Sequence, residues 1–178
     1  MFRLDQFDNS DFDRGASKFT EALWFLTKQF FFQSRIPWPS AMKSQLLRMF
    51  GAKVGRKVVI RPQVNITFPW KLDIGDCVWI GEETLLLSLD RIEIGSNVCI
   101  SQRAFICTGS HDYRSESFDL KTAPIVISSS CWIAAQAFVG MGVSIGEGSV
   151  VSASSVVLRD VPEGVVVRGN PAEQRKES

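Results

Sequence analysis

Aliphatic residues recur at one phase of a six-residue period through most of this 178-residue chain. They stand at Val54, Ile60 and Ile66, at Ile74, Ile80 and Leu86, and at Ile94, Ile100 and Ile106. The series resumes at Ile127, Ile133, Val139, Ile145, Val151 and Val157. Glycine often follows, as at Gly55, Gly75, Gly81, Gly95, Gly140 and Gly146, and small or β-branched residues such as Val64, Thr84, Ala104 and Ser149 fill the position four after the aliphatic one. A repeat of fixed period governs architecture before any local propensity does. A helix needs apolar spacings of three and four, and an amphipathic strand needs two. A period of six fits a short strand followed by a tight turn, with glycine or Ser, Asn or Asp easing the backbone through the corner. Three such units make a triangular coil whose aliphatic residues point into a narrow prism. Each coil buries its interior only by stacking on the next. The expected fold is therefore all-β, a parallel β-helix of hexapeptide repeats.

The period stretches at one corner. Ile66 to Ile74 and Leu86 to Ile94 are eight residues apart instead of six, and the next equivalent corner, after Ile106, takes a long insertion. That insertion, "CTGSHDYRSESFDLKTAP" (107–124), is polar and holds His111, the only histidine. A lone histidine in a polar loop is ordinarily a solvated surface residue. Here it sits at a corner already irregular in the two preceding coils.

Residues 1–53 lack the period. "SKFTEALWFLTKQFFF" and "PSAMKSQLLRMF" read as two helices separated by the proline-marked "QSRIPWP". In the second, Pro39 and Ser40 stand where helix starts favour them and Gly51 where a helix stops. The chain thus divides into an N-terminal helical segment (1–53) packing on the β-helix, the β-helix itself (54–162) with its extruded loop 107–124, and a tail (163–178). "ALWFLTKQFFF" is too short for the roughly 20 residues of a spanning helix and carries Lys28. It reads as a helix packed on the body, with peripheral membrane contact as the alternative. Twenty Lys and Arg against 19 Asp and Glu leave no global field to recruit nucleic acid. Cys77, Cys99, Cys107 and Cys131 form no CxxC pair, so they read as reduced small hydrophobes, not metal ligands. With an acidic N-terminus lacking a signal-peptide pattern, they point to the cytoplasm.

The stretches "LLRMFGAKVG" (46–55), "CISQRAFICTGSHDY" (99–113) and "CWIAAQAFVGMGVSIGEGSVVSASSVVLRDVPEGVVVRGNPA" (131–172), with the "FFFQSRIPWPS" approach (30–40), resemble the hexapeptide-repeat acyltransferases. Within that family they are most similar to the serine/maltose/galactoside O-acetyltransferase branch and its colanic-acid-biosynthesis members. The resemblance implies a left-handed parallel β-helix, an exception to the right-handed crossover rule. It also implies a homotrimer and transfer of acetyl from acetyl-CoA to a sugar or glycan hydroxyl, with no metal required. On that reading His111 is the general base, since a neutral imidazole is available at physiological pH, and transfer is direct. Asp112 either orients the imidazole or caps the loop, and Tyr113 either lines the acceptor pocket or packs at the loop base.

The family holds its cofactor along the groove between neighbouring protomers. The matching backbone corners here are Ala135 and Ala153, with Ala134 and Ser152 replacing the family's glycines. Trp132 flanks the pantetheine arm or is an ordinary packed aromatic. Arg159, Arg168 and Lys176, with Arg175, suit the CoA phosphates or, in the tail, are solvated. Asn65, Ser88 and Asp90, near Trp70, flank the bulged corners and would line the acceptor cleft.

Two other functions remain in view, N-acetylation of an amino sugar and a non-catalytic scaffold trimer. A γ-class carbonic anhydrase needs three histidines, and a sugar nucleotidyltransferase needs a nucleotide-binding domain that 53 residues cannot supply.

Overall fold

The computed structural model describes residues 2–175. Strands of two to four residues wind into five full coils and a partial sixth, stacked as three parallel sheets in a left-handed β-helix. The first face carries Lys53–Val54, Leu72–Ile74, Ile92–Ile94, Ile125–Ile127 and Ser144–Ile145. The second runs from Val59–Ile60 to Val166–Gly169, and the third from Asn65–Ile66 to Val156–Val157. Register follows the sequence phase: Ile60, Ile80, Ile100, Ile133, Val151 and Val167 are successive partners down one face. Of the fifteen in-phase aliphatics all but Val54, on the first strand, are buried, and so are the residues four after them except at the three irregular corners, where Trp70, Asp90 and Ser110 are not. Alternating large and small residues fill the prism at each layer.

The corners depart from the expected chemistry. Left-handed backbone occurs two residues after the glycine position, at Lys57, Gln63, Cys77, Glu83, Asn97, Arg103, Ser130, Gln136 and Ser154, mostly residues with no intrinsic liking for it. Each costs roughly 1–2 kcal/mol, and the ladder hydrogen bonds on either side over-determine it. The glycines after the aliphatic positions serve another purpose. A Cβ on Gly81 would lie 2.5 Å from the Gln102 amide nitrogen, and one on Gly75 would lie 2.7 Å from Gly95 of the next coil. They let neighbouring coils approach, whereas the turn itself lies further on.

Two helices cover the first coil, α1 (Lys18–Thr27, continuing as a π-helical turn over Lys28–Phe32) and α2 (Ser40–Met49). Ser17 caps α1 by accepting from the Thr20 amide. Ser40, placed by the sequence at a helix start, does begin α2 but makes no cap. Its hydroxyl accepts from the Ile60 amide instead, docking the helix to the prism. Gly51 ends α2 with φ +89°.

In the ladder the amide after each in-phase aliphatic donates to an in-phase carbonyl of the coil after it, as from Gly55 N to Ile74 O (2.7 Å), while corner amides such as Cys77 N donate back, to Arg56 O (2.8 Å). The in-phase carbonyls of the first coil, on Val54, Ile60 and Ile66, therefore have no earlier coil to receive from. The helices supply donors to every face. Arg48 donates to Val54 O (2.8 Å), Lys43 Nζ to Ile60 O (3.3 Å) and Arg61 O (3.0 Å), and Trp24 Nε1 to Ile66 O (3.2 Å) and Thr67 O (3.0 Å). Lys43 is 0% exposed. Burial, with Arg61 acting in the same direction, pushes its ammonium's pKa below the usual lysine value. Leaving one such buried acceptor unmet costs about 1–3 kcal/mol, so the cap is part of the fold. At the far end, Val166–Gly169 turns back on Ala172–Gln174 as an antiparallel hairpin. No helix among the described residues is long and apolar enough to cross a membrane.

Candidate active site

The insertion at 107–124 leaves the third face and returns to the first through an antiparallel pair, Gly109–His111 with Leu120–Thr122. Its root is fixed by Thr108, fully buried, whose hydroxyl donates to Leu87 O (2.6 Å) and accepts from the Asp90 amide (2.9 Å). His111 closes the first of these strands. Its Nδ1 lies 2.9 Å from Phe118 O, and the two rings stack at 4.3 Å and 3°. A carbonyl can only accept, so Nδ1 carries the proton and the Nε2 lone pair is left free. Phe118 adopts φ +52° to present both its carbonyl and its ring. From the other side Phe7 meets the imidazole edge-on at 5.4 Å, while Phe2 stacks on Phe118 and the Arg3 amide donates to Glu116 O. The N-terminal segment thus lies along the histidine loop.

Asp112 does not reach the imidazole. It pairs with Lys121 (2.7 Å) and accepts from the Arg114 amide (3.0 Å), closing the loop on itself. The Lys121 hydrogen bond, then that of the Arg114 amide, hold its carboxyl below the usual aspartate value. Tyr113 is exposed at the loop tip against Arg114.

His111 opens on a cavity of about 490 Å³ between the first bulged corner (Thr67, Phe68, Trp70), the loop and α1. Phe68 stacks on Trp70, whose Nε1 donates to Arg14 O (2.6 Å), while Lys71 Nζ donates to Asp13 O (2.9 Å) and Leu89 O (2.6 Å). The bulge therefore holds residues 13–15 against the prism. The residues singled out beside it do not gather here. Ser88 is fully buried, with its hydroxyl engaged by the Phe68 amide and carbonyl. Asp90 faces a separate hollow with Lys53, Lys71 and Arg91. Asn65 lies on the third face with a buried Oδ1 that has no partner.

The positions matched to the cofactor occupy a different edge of the prism. Ala135 and Ala153 stand at the corner between the second and third faces in successive coils, while the histidine loop leaves from the corner between the third and first. Neither alanine amide donates within the described residues, although the Ala135 carbonyl accepts from Ser154 N (2.9 Å). Two free N–H groups thus line one edge. Trp132, 49% exposed on the second face, donates to Ser101 Oγ (2.9 Å). Arg159, Arg168 and Arg175 are exposed, and Lys176 lies outside the described residues. Burial pushes the Cys107 and Cys131 thiols up, away from thiolate chemistry.

Sequence reasoning missed Phe118 and the inner face of α1. A lone aromatic in the polar "RSESFDL" was the available signal for the first. For the second it was a charged residue, Glu21, on the same helical face as Trp24 and Lys28.

No protein-family model matches the sequence. The chain is 45% identical over 159 residues to the putative colanic acid biosynthesis acetyltransferase WcaF of Escherichia coli, covering 89% of this chain and 87% of that one. It is 26% identical over 132 residues to the galactoside O-acetyltransferase of the same species, covering 72% and 65%. A hexapeptide-repeat acetyltransferase from Vibrio cholerae, solved with acetyl coenzyme A, superposes with a TM-score of 0.81 at 29% identity, covering 92% and 91% of the two chains. With its stacked hexapeptide coils and this degree of likeness over nearly its whole length, the chain belongs to the hexapeptide-repeat acetyltransferases.

Proposed function

We propose that this enzyme transfers acetyl from acetyl-CoA to a sugar hydroxyl, with His111 as general base. The observation that carries the reading is the hydrogen bond from His111 Nδ1 to Phe118 O. It fixes the tautomer and leaves Nε2 as the acceptor at a cavity wide enough for a small ligand, about 300–1,000 Å³ being usual. A hydroxyl is too weak an acid to ionise beforehand, so its proton must pass to Nε2 as its oxygen attacks. Acetyl-CoA supplies the thioester carbon. The new C–O bond replaces the C–S bond, and the imidazolium returns its proton to the leaving thiolate. Phe118, through its carbonyl and ring, is a positioning residue.

The free amides of Ala135 and Ala153 fit the amide carbonyls of a pantetheine arm, with Trp132 alongside and Arg159, Arg168, Arg175 and Lys176 for the phosphates. The Ala135–Ala153 corner and His111 lie on different edges of one prism, so a complete site needs two copies side by side. That geometry supports a homotrimer. So does the chemistry of the outer faces, since the second presents Trp79, Trp132 and Val166 to solvent whereas the first presents Lys53, Asp73 and Glu93. The four unpaired cysteines support a cytoplasmic site of action.

His111→Ala is expected to lower CoA-thiol release with acceptor sugars by about 10²–10⁴-fold, with the circular dichroism melt and light-scattering mass unchanged. Turnover equal to wild type would remove His111 as the base. Parallel assays with hydroxyl-only and amine-bearing sugars separate O- from N-transfer.

A further inference from the structure

The inner face of α1 and of the π-helical turn that continues it carries two ionisable side chains, Glu21 and Lys28, that the acetyl-transfer chemistry does not use. Glu21 and Lys28 are seven residues apart, two helical turns or about 10 Å along the axis, and both line the cavity that holds His111. Arg14 Nη1 takes Glu21 Oε2 at 2.9 Å, but Glu21 Oε1 is buried with no partner, the side chain as a whole being 19% exposed. A carboxylate oxygen shielded from water and left unpaired is costly, unless a ligand donates to it.

Lys28 presents the complementary gap. Among the described residues its ammonium has neither a hydrogen-bond acceptor nor an ion-pair partner, and burial holds its pKa below the usual lysine value. The cavity's ionisable lining is Arg14, Glu21, Lys28 and His111. Arg14 and Glu21 offset one another, so Lys28 is the one uncompensated charge in a space otherwise walled largely by aromatic rings. A half-desolvated ammonium in such a setting is stabilised by an anion. The stacked Phe68 and Trp70 offer an apolar wall for the C–H face of a pyranose.

We infer that the acceptor is an anionic sugar unit, its carboxylate or phosphate meeting Lys28 while one of its hydroxyls donates to Glu21 Oε1. The assignment rests on reading this cavity as the acceptor pocket. It makes α1 the specificity element, distinct from the loop that carries the base.

The test measures binding and turnover separately. Methyl glucoside, methyl glucuronide and glucose 1-phosphate are titrated calorimetrically into the full-length protein, and CoA-thiol release is followed with the same three acceptors. One of the two anionic sugars should bind roughly tenfold or more tightly than the neutral one, and which of them does so identifies carboxylate or phosphate as the source. Lys28→Gln should erase that preference and Lys28→Arg should retain it. Lys18→Gln, on the exposed side of the same helix, should leave it intact. No anionic preference, whether from equal binding or from none, overturns the inference, as does a preference that survives in Lys28→Gln. Preferred anion binding without thiol release would sink the sugar-acetylation reading while leaving the charge assignment standing, and turnover without preference would do the reverse.

Discussion

Ile100 and His111 lie eleven residues apart in the chain and are held in opposite ways. Ile100 pairs with Ile80 before it and Ile133 after it, and its neighbours meet the same demand from every coil. His111 depends on one carbonyl and two aromatic rings, none of which recurs elsewhere. The prism is redundant and cooperative. The site is a set of single contacts placed on it. Stability and activity should therefore respond to different mutations, and the separation can be pressed from both sides.

The largest stability effect is expected inside the prism. Ile100→Ala, at a position with no exposure, should cost about 2–5 kcal/mol. Urea melts should show it, with acetyl transfer lost only in step with the folded fraction. If activity fell while the protein stayed folded, the division between prism and site would fail. At the site, Phe118→Ala keeps the carbonyl but removes the ring stacked on the imidazole. An aromatic pair is worth about 0.5–1.5 kcal/mol, so kcat/KM should fall by up to about tenfold with the melting midpoint nearly unchanged. A purely structural role for Phe118 would instead lower the midpoint and leave the pH–rate profile of the folded enzyme alone.

The smallest effect concerns the loop in acid. Hydrogen bonds from Lys121 and from Ser117, respectively, hold the Asp112 and Asp119 carboxyls below the usual value of 3.8. A carboxyl whose pKa is lower folded than unfolded adds stability that is fully present above the unfolded value and is lost as pH falls through the folded one. Amide exchange in 109–122 should therefore quicken below about pH 4 before that of the coils does, and Asp112→Asn should abolish the Asp112 share. Simultaneous loosening of loop and prism would count against local control.

How much of this was legible in the sequence follows from the same contrast. Ile60, Ile80 and Ile100 announce one another because every layer imposes the same packing demand, so the phase, the three faces and the irregular corner could be read directly. The corner glycines were read for the wrong reason. Gly81 is needed for clearance from the next coil, and the left-handed backbone falls on residues such as Glu83, where only the assembled ladder requires it. His111 stood out by its uniqueness and its place in the break. Its partner Phe118 lies seven residues on in the same loop and showed only as a lone aromatic in a polar stretch, whereas the Glu21–Lys28 face depends on a helix from the chain's start meeting a corner some forty residues later, which no local pattern encodes. Ser88 looked available because it is polar and near a bulge, yet its hydroxyl is spent on the Phe68 backbone.

The three donors laid over the first coil have a consequence for assembly. Rows of open carbonyls at the end of a stacked-sheet rod are a template on which another rod can grow. Arg48, Lys43 and Trp24 occupy one row each, and the terminal hairpin folds back over part of the opposite end. Lengthwise propagation is thereby blocked where it would begin. The flanks remain as the surfaces on which copies can meet, which favours a closed ring about an axis parallel to the rod over an open fibre.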